Sequence, residues 1–225
     1  MRRFIALILT VALLSCPVRG AGGTKYVALT FDDGPSGKYT QRLLEGLQAR
    51  NVRATFFLCG YRLEDYGELA REIRRRGHEI GLHGYSHDSM PNMSEEQLRR
   101  ELTDTLALLP EGCLVNLMRP PGGATGQVVS RVSGQMNLSI IDWSVDPKDW
   151  ATRDRDLILD RLLSMTGDGD VILLHDMTDS SVDAALALVD ELKAQGYRFL
   201  TVSQLAMLRL RQLKPGASYS AFPPQ

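Results

Sequence analysis

Residues 26–35 read YVALTFDDGP, an apolar run that ends in two acids, a glycine and a proline. The apolar part has the length of a buried strand, and Asp-Asp-Gly-Pro is a strong turn former. Six further short apolar runs follow, separated by longer amphipathic stretches. Alternation of this kind is typical of repeated βα units that build a parallel sheet.

The full pattern predicts seven strands and seven helices. The strands are expected at 26–31, 52–58, 78–82, 114–118, 137–142, 170–174 and 197–201. The helices are expected near 38–50, 64–76, 94–108, 126–134, 154–166, 180–195 and 203–212. About seven βα units in a chain of this length favour an α/β fold of the distorted or incomplete (β/α) barrel type over an open doubly wound sheet.

The two ends of the chain differ from this pattern. Arg2 and Arg3 precede an apolar run at 4–14, which is too short for a comfortable membrane span, and small residues follow through Gly20. Residues 1–20 are therefore expected to be a signal peptide or a membrane or lipid anchor. Cleavage after Gly20 and lipidation of Cys16, within a lipobox-like LLSC, both stay open. Residues 21–213 are expected to form one domain, followed by an irregular, mobile tail at 214–225.

Charge and cysteine content limit the partners. With 26 Lys and Arg against 27 Asp and Glu, the formal net charge is −1, which argues against a nucleic-acid partner. We expect an exported monomer, extracellular or on the bacterial cell surface, that meets a membrane only through its N-terminal segment. Cys59 and Cys113 lack zinc-type spacing, so they are buried apolar side chains or a disulfide pair.

Polar side chains of the kinds that enzymes use follow five of the predicted strands, where active sites of (β/α) barrels are built. These segments are Asp32-Asp33-Gly34-Pro35, His83 to His87, Arg119-Pro120-Pro121-Gly122-Gly123, a stretch with Asp146, Asp149 and Trp150, and His175-Asp176.

His83 and His87 are four residues apart, a spacing suited to binding a divalent metal. A carboxylate from Asp32 or Asp33 would complete the two-imidazole, one-carboxylate set of catalytic zinc sites. One of the two acids can bind metal while the other takes a proton, although Asp-Asp-Gly-Pro taken alone is a turn. Arg119 could hold a carboxylate ionised, and His175 is either functional or an ordinary buried histidine.

Together and in this order, the five segments resemble the motifs of the polysaccharide deacetylase family, the NodB-homology domain of carbohydrate esterase family four. The resemblance covers roughly residues 24–213 and implies metal-dependent removal of N- or O-acetyl groups from glycans on a distorted (β/α) barrel. It implies the following roles: Asp33, His83 and His87 bind metal, usually zinc and in some members cobalt or nickel; Asp32 is the catalytic base and His175 the acid; Arg119 steadies the base and Asp149 tunes the acid; Trp150 and Leu173 line the acetyl pocket.

Two positions depart from the family pattern. Gly84 stands where a Ser or Thr hydroxyl commonly braces the histidine loop, and Gly122 replaces a common aromatic residue while keeping the backbone N–H that contacts the oxyanion. We therefore expect an exported deacetylase of an N-acetylated glycan substrate, peptidoglycan or a related amino-sugar polymer. The alternatives are an O-acetyl xylan esterase, a spore muramic-acid deacetylase, or a non-catalytic glycan-binding module on the same fold.

Overall fold

The first strand, β1, runs from Tyr26 to Gly34 and is buried along almost its whole length. Val27, Leu29 and Phe31 pack in the large cluster formed with the surrounding helices, and Ala28 packs in a separate inner cluster. The structure is a computed structural model that describes residues 23–224. The predicted export segment and Cys16 lie outside the described residues.

All seven predicted strands and all seven predicted helices are present. The strands are β1 (Tyr26–Gly34), β2 (Thr55–Leu58), β3 (Glu79–Leu82), β4 (Leu117–Met118), β5 (Ser139–Ile141), β6 (Val171–His175) and β7 (Arg198–Leu200), and an eighth, β8 (Ser218–Tyr219), follows them. The helices are α1 (Lys38–Ala49), α2 (Gly60–Arg75), α3 (Glu95–Leu108), α4 (Gln127–Gln135), α5 (Arg155–Met165), α6 (Asp179–Ala194) and α7 (Val202–Leu210). The expected start of α3 is confirmed, because Ser94 and Gln97 form a capping box.

The strands form one parallel sheet in the order β6-β1-β2-β3-β4-β5-β8, and β7 pairs with the first residues of β1. The sheet curls so that its two ends approach each other. Two isolated bridges join them, between Val145 and Ile172 and between Asp170 and Ala221. The predicted distorted (β/α) barrel is confirmed.

The C-terminal segment differs from the sequence prediction. Ser218 and Tyr219 pair with β5, and Phe222 is fully buried in the inner cluster, where it stacks on Tyr219. The Phe222 N–H donates to Gly169 O at 2.7 Å. The prediction of an irregular tail is therefore wrong for this stretch: the short apolar residues among prolines and glycines fill the gap between β5 and β6.

The last helix closes the end of the barrel at which the strands begin. Val202, Leu205 and Ala206 of α7 are buried in the inner cluster. The Val202 N–H donates to Thr55 Oγ1, at the start of β2. The opposite end, where the strands finish, stays open for a site. Within residues 23–224, no helix combines the length and the apolar character needed to cross a bilayer.

The two cysteines in the described part of the chain are both free thiols. Cys59 is fully buried directly before α2, and Cys113 is half-buried beyond α3. Of the two predictions for these cysteines, apolar side chains or a disulfide pair, the structure shows apolar side chains without a disulfide.

Candidate active site

Three potential metal ligands meet at the open end of the barrel. Asp33 Oδ1 lies 3.2 Å from His83 Nε2 and 3.1 Å from His87 Nε2. Asp33 and His87 both adopt positive φ, 68° in each case, a backbone conformation that is uncommon for residues other than glycine. One ligand atom from each of the three residues lies within 4.8 Å of the others.

The hydrogen bonds around this triad fit a cation. His83 Nδ1 lies 2.7 Å from the carbonyl oxygen of Arg119, so this nitrogen carries the proton and donates it. The Nε2 lone pair is then directed at Asp33, whose Oδ1 is buried and receives no hydrogen bond. A bound metal ion would stabilise these lone pairs, which face each other across the site. A histidine that binds a metal commonly donates its other ring N–H to a backbone carbonyl oxygen, as His83 does here.

Asp32 is held apart from the triad by Arg119. The Arg119 guanidinium donates to Asp32 Oδ1 at 2.7 Å, and both side chains are buried. Asp32 Oδ2 remains 3.8 Å from His83 Nε2. The two adjacent acids therefore have different surroundings, one among imidazoles and one beside a guanidinium, as their predicted separate roles require.

Arg119 joins three strands inside the barrel. Its remaining N–H groups donate to Thr30 Oγ1 and to the carbonyl oxygens of Ile141 and Asp142. The guanidinium carbon lies 4.2 Å from the ring centroid of Phe57. A fully buried arginine is costly unless it is paired and hydrogen-bonded, and here every nitrogen has an acceptor.

His175 ends β6 and faces the triad from the other side. Its Nδ1 lies 2.8 Å from Asp149 Oδ1, and its backbone N–H donates to the other oxygen of the same carboxylate. Burial lowers the pKa of His175, but the Asp149 hydrogen bond and the charges of Asp149, Asp32 and Asp33 outweigh it and raise the pKa to about 9. His175 Nε2 lies 4.0 Å from Asp33 Oδ2.

These groups line one cleft of about 420 Å³. Its wall is formed by Asp32, Asp33, His83, His87, Gly122, Trp143, Asp146, Trp150, Leu173 and His175. Trp150 is 61% exposed, so its ring is available to a ligand. Gly122 has φ 63°, and a Cβ there would meet no atom within 4 Å, so this side of the cleft is open as expected. Arg119 and Asp149 lie behind the cleft, each bonded to a residue that lines it.

The chain is similar to known proteins in both sequence and fold. The family model described as polysaccharide deacetylase matches residues 19–141, which is more than half of the chain. The chain belongs to the polysaccharide deacetylase family.

Among curated relatives, this chain is 37% identical to the peptidoglycan-N-acetylmuramic acid deacetylase PdaC of Bacillus subtilis over 80% of its length. That match covers only 38% of PdaC. It is also 37% identical to a peptidoglycan-N-acetylglucosamine deacetylase of Bacillus cereus, covering 80% of this chain and 88% of the relative. Among solved structures, a family 4 acetyl xylan esterase from Clostridium thermocellum in complex with a cobalt ion has a TM-score of 0.82 at 32% identity, covering 88% of this chain and all of that one.

The sequence analysis missed one residue that supports the candidate site. Glu101, on α3, accepts hydrogen bonds from the backbone N–H groups of Tyr85 and Ser86 at 2.7 and 2.8 Å. It thereby holds the loop between the two histidines. Its position among the buried residues Leu98, Leu102 and Thr105 of α3 is the signal that could have identified it, because an acid on a buried helix face needs a partner.

The Glu101 contact accounts for the unusual Gly84. Gly84 has φ 81°, and a Cβ at this position would lie 2.8 Å from Met90 Cε and 3.3 Å from Glu101 Oε2. A Ser or Thr would therefore be strained and crowded here. The Glu101 carboxylate on α3 therefore holds this loop, in place of a hydroxyl at position 84 within the loop.

Proposed function

We propose that this chain is a metal-dependent deacetylase that hydrolyses N-acetyl groups of an extracellular glycan, either peptidoglycan or another N-acetylated amino-sugar polymer. The observation that carries the proposal is the sharing of one cleft by Asp33, His83 and His87 with Asp32 on one side and His175 on the other. The peptidoglycan deacetylases among the relatives support the choice of substrate. The predicted export segment supports an extracellular location, and the barrel, including β8 and Phe222, would form the catalytic domain.

Asp33, His83 and His87 would hold the metal, for which we propose zinc, with cobalt or nickel as replacements. When bound, such an ion supplies a Lewis acid that polarises the acetyl carbonyl and acidifies a water molecule.

Asp32 and His175 would handle the two protons of the hydrolysis. Asp32, oriented by Arg119, accepts a proton from the attacking water. His175 is protonated at neutral pH because its pKa is raised, so it can donate a proton to the leaving amine. Asp149 fixes the orientation of that imidazole. Trp150, Leu173 and the Gly122 backbone would enclose the acetyl group.

Acetate release tests the proposal. Residues 21–225 are treated with a chelator, dialysed, and given zinc or cobalt with N-acetylated chito-oligosaccharides or peptidoglycan as substrate. We expect no release without metal and recovery on metal addition. Acetylated xylan serves as the O-acetyl comparison. Tight metal and glycan binding without release from any of these substrates would support a non-catalytic module and contradict an enzyme.

The Asp32→Asn variant tests the assignment of the two acids. We expect turnover to fall by about 100- to 10,000-fold, because the general base is lost. Metal affinity should be retained, since Asp33 is untouched. Unchanged acetate release would contradict the role of Asp32, and loss of metal would mean that the two aspartates have exchanged roles.

A further inference from the structure

The first turn of α2 lies at the rim of the candidate active site. The Cys59 N–H donates to Gly34 O, and the next two N–H groups, of Gly60 and Tyr61, donate to the carbonyl oxygens of Gly84 and Tyr85. These bonds fix the helix start between the loop that carries Asp33 and the loop that carries His87. Arg62 then reaches in the direction of Met177, two residues beyond His175, with 3.8 Å between Nη2 and Sδ.

Arg62 has no anionic partner at this position. Among the described residues it forms no ion pair, and its Nε is buried without an acceptor. A thioether sulfur, the one group that Nη2 meets, is only a weak acceptor. The first turn of α2 also contains no acid, so the positive end of the helix dipole adds to the guanidinium charge.

The guanidinium is nevertheless held in place. Its carbon lies 5.2 Å from the ring centroid of Tyr61, and Tyr61 itself is 39% exposed. A stacked arginine loses little conformational freedom when it binds, and the two terminal nitrogens of Arg62, Nη1 and Nη2, can donate together to one carboxylate. The buried Arg119 contrasts with it, because all of its nitrogens are occupied.

We propose that Tyr61 and Arg62 form a subsite that binds a carboxylate of the glycan substrate. The inference rests on the proposed deacetylase function and narrows its substrate class to acidic amino-sugar glycans. Polymers of N-acetylglucosamine alone are neutral. Muramic-acid-containing strands carry a carboxylate either on the lactyl ether or, where peptides are attached, on the stem peptide.

The test compares the Arg62→Gln variant with the unaltered protein on three ligands. These are a neutral chito-oligosaccharide, a peptide-free muramic-acid-containing strand, and the same strand with stem peptides. KM is measured for turnover, and the dissociation constant is measured in the Asp32→Asn background with metal bound. We expect Arg62→Gln to weaken acidic ligands by about tenfold, the scale of one charge-assisted contact, and the neutral ligand by less than twofold.

Arg71→Gln is the matched control, because it removes the same charge from the same helix at an exposed, ion-paired site. It should leave all three affinities unchanged. Arg62→Lys keeps the charge without the fork and should recover only part of the loss. An effect already present on the peptide-free strand identifies the lactyl carboxylate, and an effect confined to the peptide-bearing strand identifies the peptide.

The subsite is refuted if Arg62→Gln weakens neutral and acidic ligands equally, or leaves the acidic ones unchanged. Turnover of chito-oligosaccharide with no preference for acidic strands would remove the inference and leave the deacetylase function standing. Arg62-dependent binding of acidic strands with no acetate release from any glycan would support the subsite and contradict the deacetylase function.

Discussion

The side chain of Glu101, on α3, holds the loop between His83 and His87, two of the proposed metal ligands, from a distant position in the sequence. It makes no contact with the proposed metal, yet the N–H groups of Tyr85 and Ser86, between the histidines, both donate to one of its oxygens. Removing an outer-shell contact of this kind commonly costs 10- to 100-fold in metal affinity. Metal affinity therefore measures how far Glu101 replaces the hydroxyl that Gly84 lacks.

We expect Glu101→Ala to lower zinc affinity by about tenfold or more, because the loop that presents His87 loses both hydrogen bonds. Glu101→Gln keeps an amide oxygen and should show a smaller loss. Competition with a chromogenic chelator measures the affinity. Glu96→Ala on the same helix, whose exposed side chain pairs with Arg100, is the control. Equal affinities for Glu101→Ala and Glu96→Ala would show that the loop needs no brace.

At the same scale, the strand-end residues singled out from the sequence lie together around one cleft. The strand-end segments are local in sequence, and a barrel brings strand ends together. The Glu101 contact was not predictable in this way, because it depends on how α3 packs against the loop after β3. The free guanidinium of Arg62 depends likewise on the position of α2.

The connections between helices and strands show where element boundaries follow sequence signals and where packing decides them. Ser94 and Gln97 mark the start of α3 correctly. Helix α2, in contrast, begins at Gly60, four residues before the predicted start, although glycine disfavours helices. A Cβ at Gly60 would lie 2.3 Å from the Tyr85 ring, so the close approach of the histidine loop requires glycine there.

The junction between β2 and β3 carries a buried titratable group away from the cleft. His78 Nδ1 accepts a hydrogen bond from the Ala54 N–H at 3.1 Å, and its ring packs edge-on against Phe56. Burial, together with the nearby charges of Arg76 and Arg53, lowers the pKa of His78 to about 4. In the unfolded chain, the pKa of a histidine is about 6.5.

The contribution of His78 to the free energy of unfolding should therefore fall as the pH drops from about 6.5 to about 4. In that window the unfolded chain binds a proton that the folded chain rejects, and the pKa difference corresponds to about 3 kcal/mol in total. His78→Asn, whose amide oxygen can accept the Ala54 bond, should remove this part of the pH dependence. Urea unfolding of both proteins in chelator, between pH 4 and 7, measures it. Parallel stability curves for the two proteins would show that His78 is not the group responsible.

For the whole molecule, the parallel barrel was predictable because seven apolar runs alternate with amphipathic stretches. The way in which the barrel closes was not predictable from the sequence. The strand β8 has two residues and stands beside prolines and glycines, so no period marks it. Its place is decided by the gap between β5 and β6 and by the burial of Phe222, which are properties of the assembled barrel.

Phe222→Ala should destabilise the protein by about 3 to 4 kcal/mol, because the side chain is fully buried and its loss leaves a cavity. Leu114→Ala is the control, since Leu114 is 96% exposed and its truncation should change the free energy of unfolding by less than about 0.5 kcal/mol. Denaturant unfolding measures both. If Phe222→Ala behaves like the control, the segment after β8 does not contribute to the barrel.

Arg119 links Asp32, the proposed base, to the barrel framework, and this constrains how the chain could evolve. The same guanidinium orients Asp32 and joins β1 to β5, so selection for catalysis and selection for folding act on one side chain. A descendant released from catalysis would be free to change Asp32, Asp33 or His175. It would still need Arg119, or a simultaneous refilling of the barrel interior. We therefore expect inactive members of such a lineage to lose Asp32, Asp33 or His175 first and to retain Arg119 after those residues have changed.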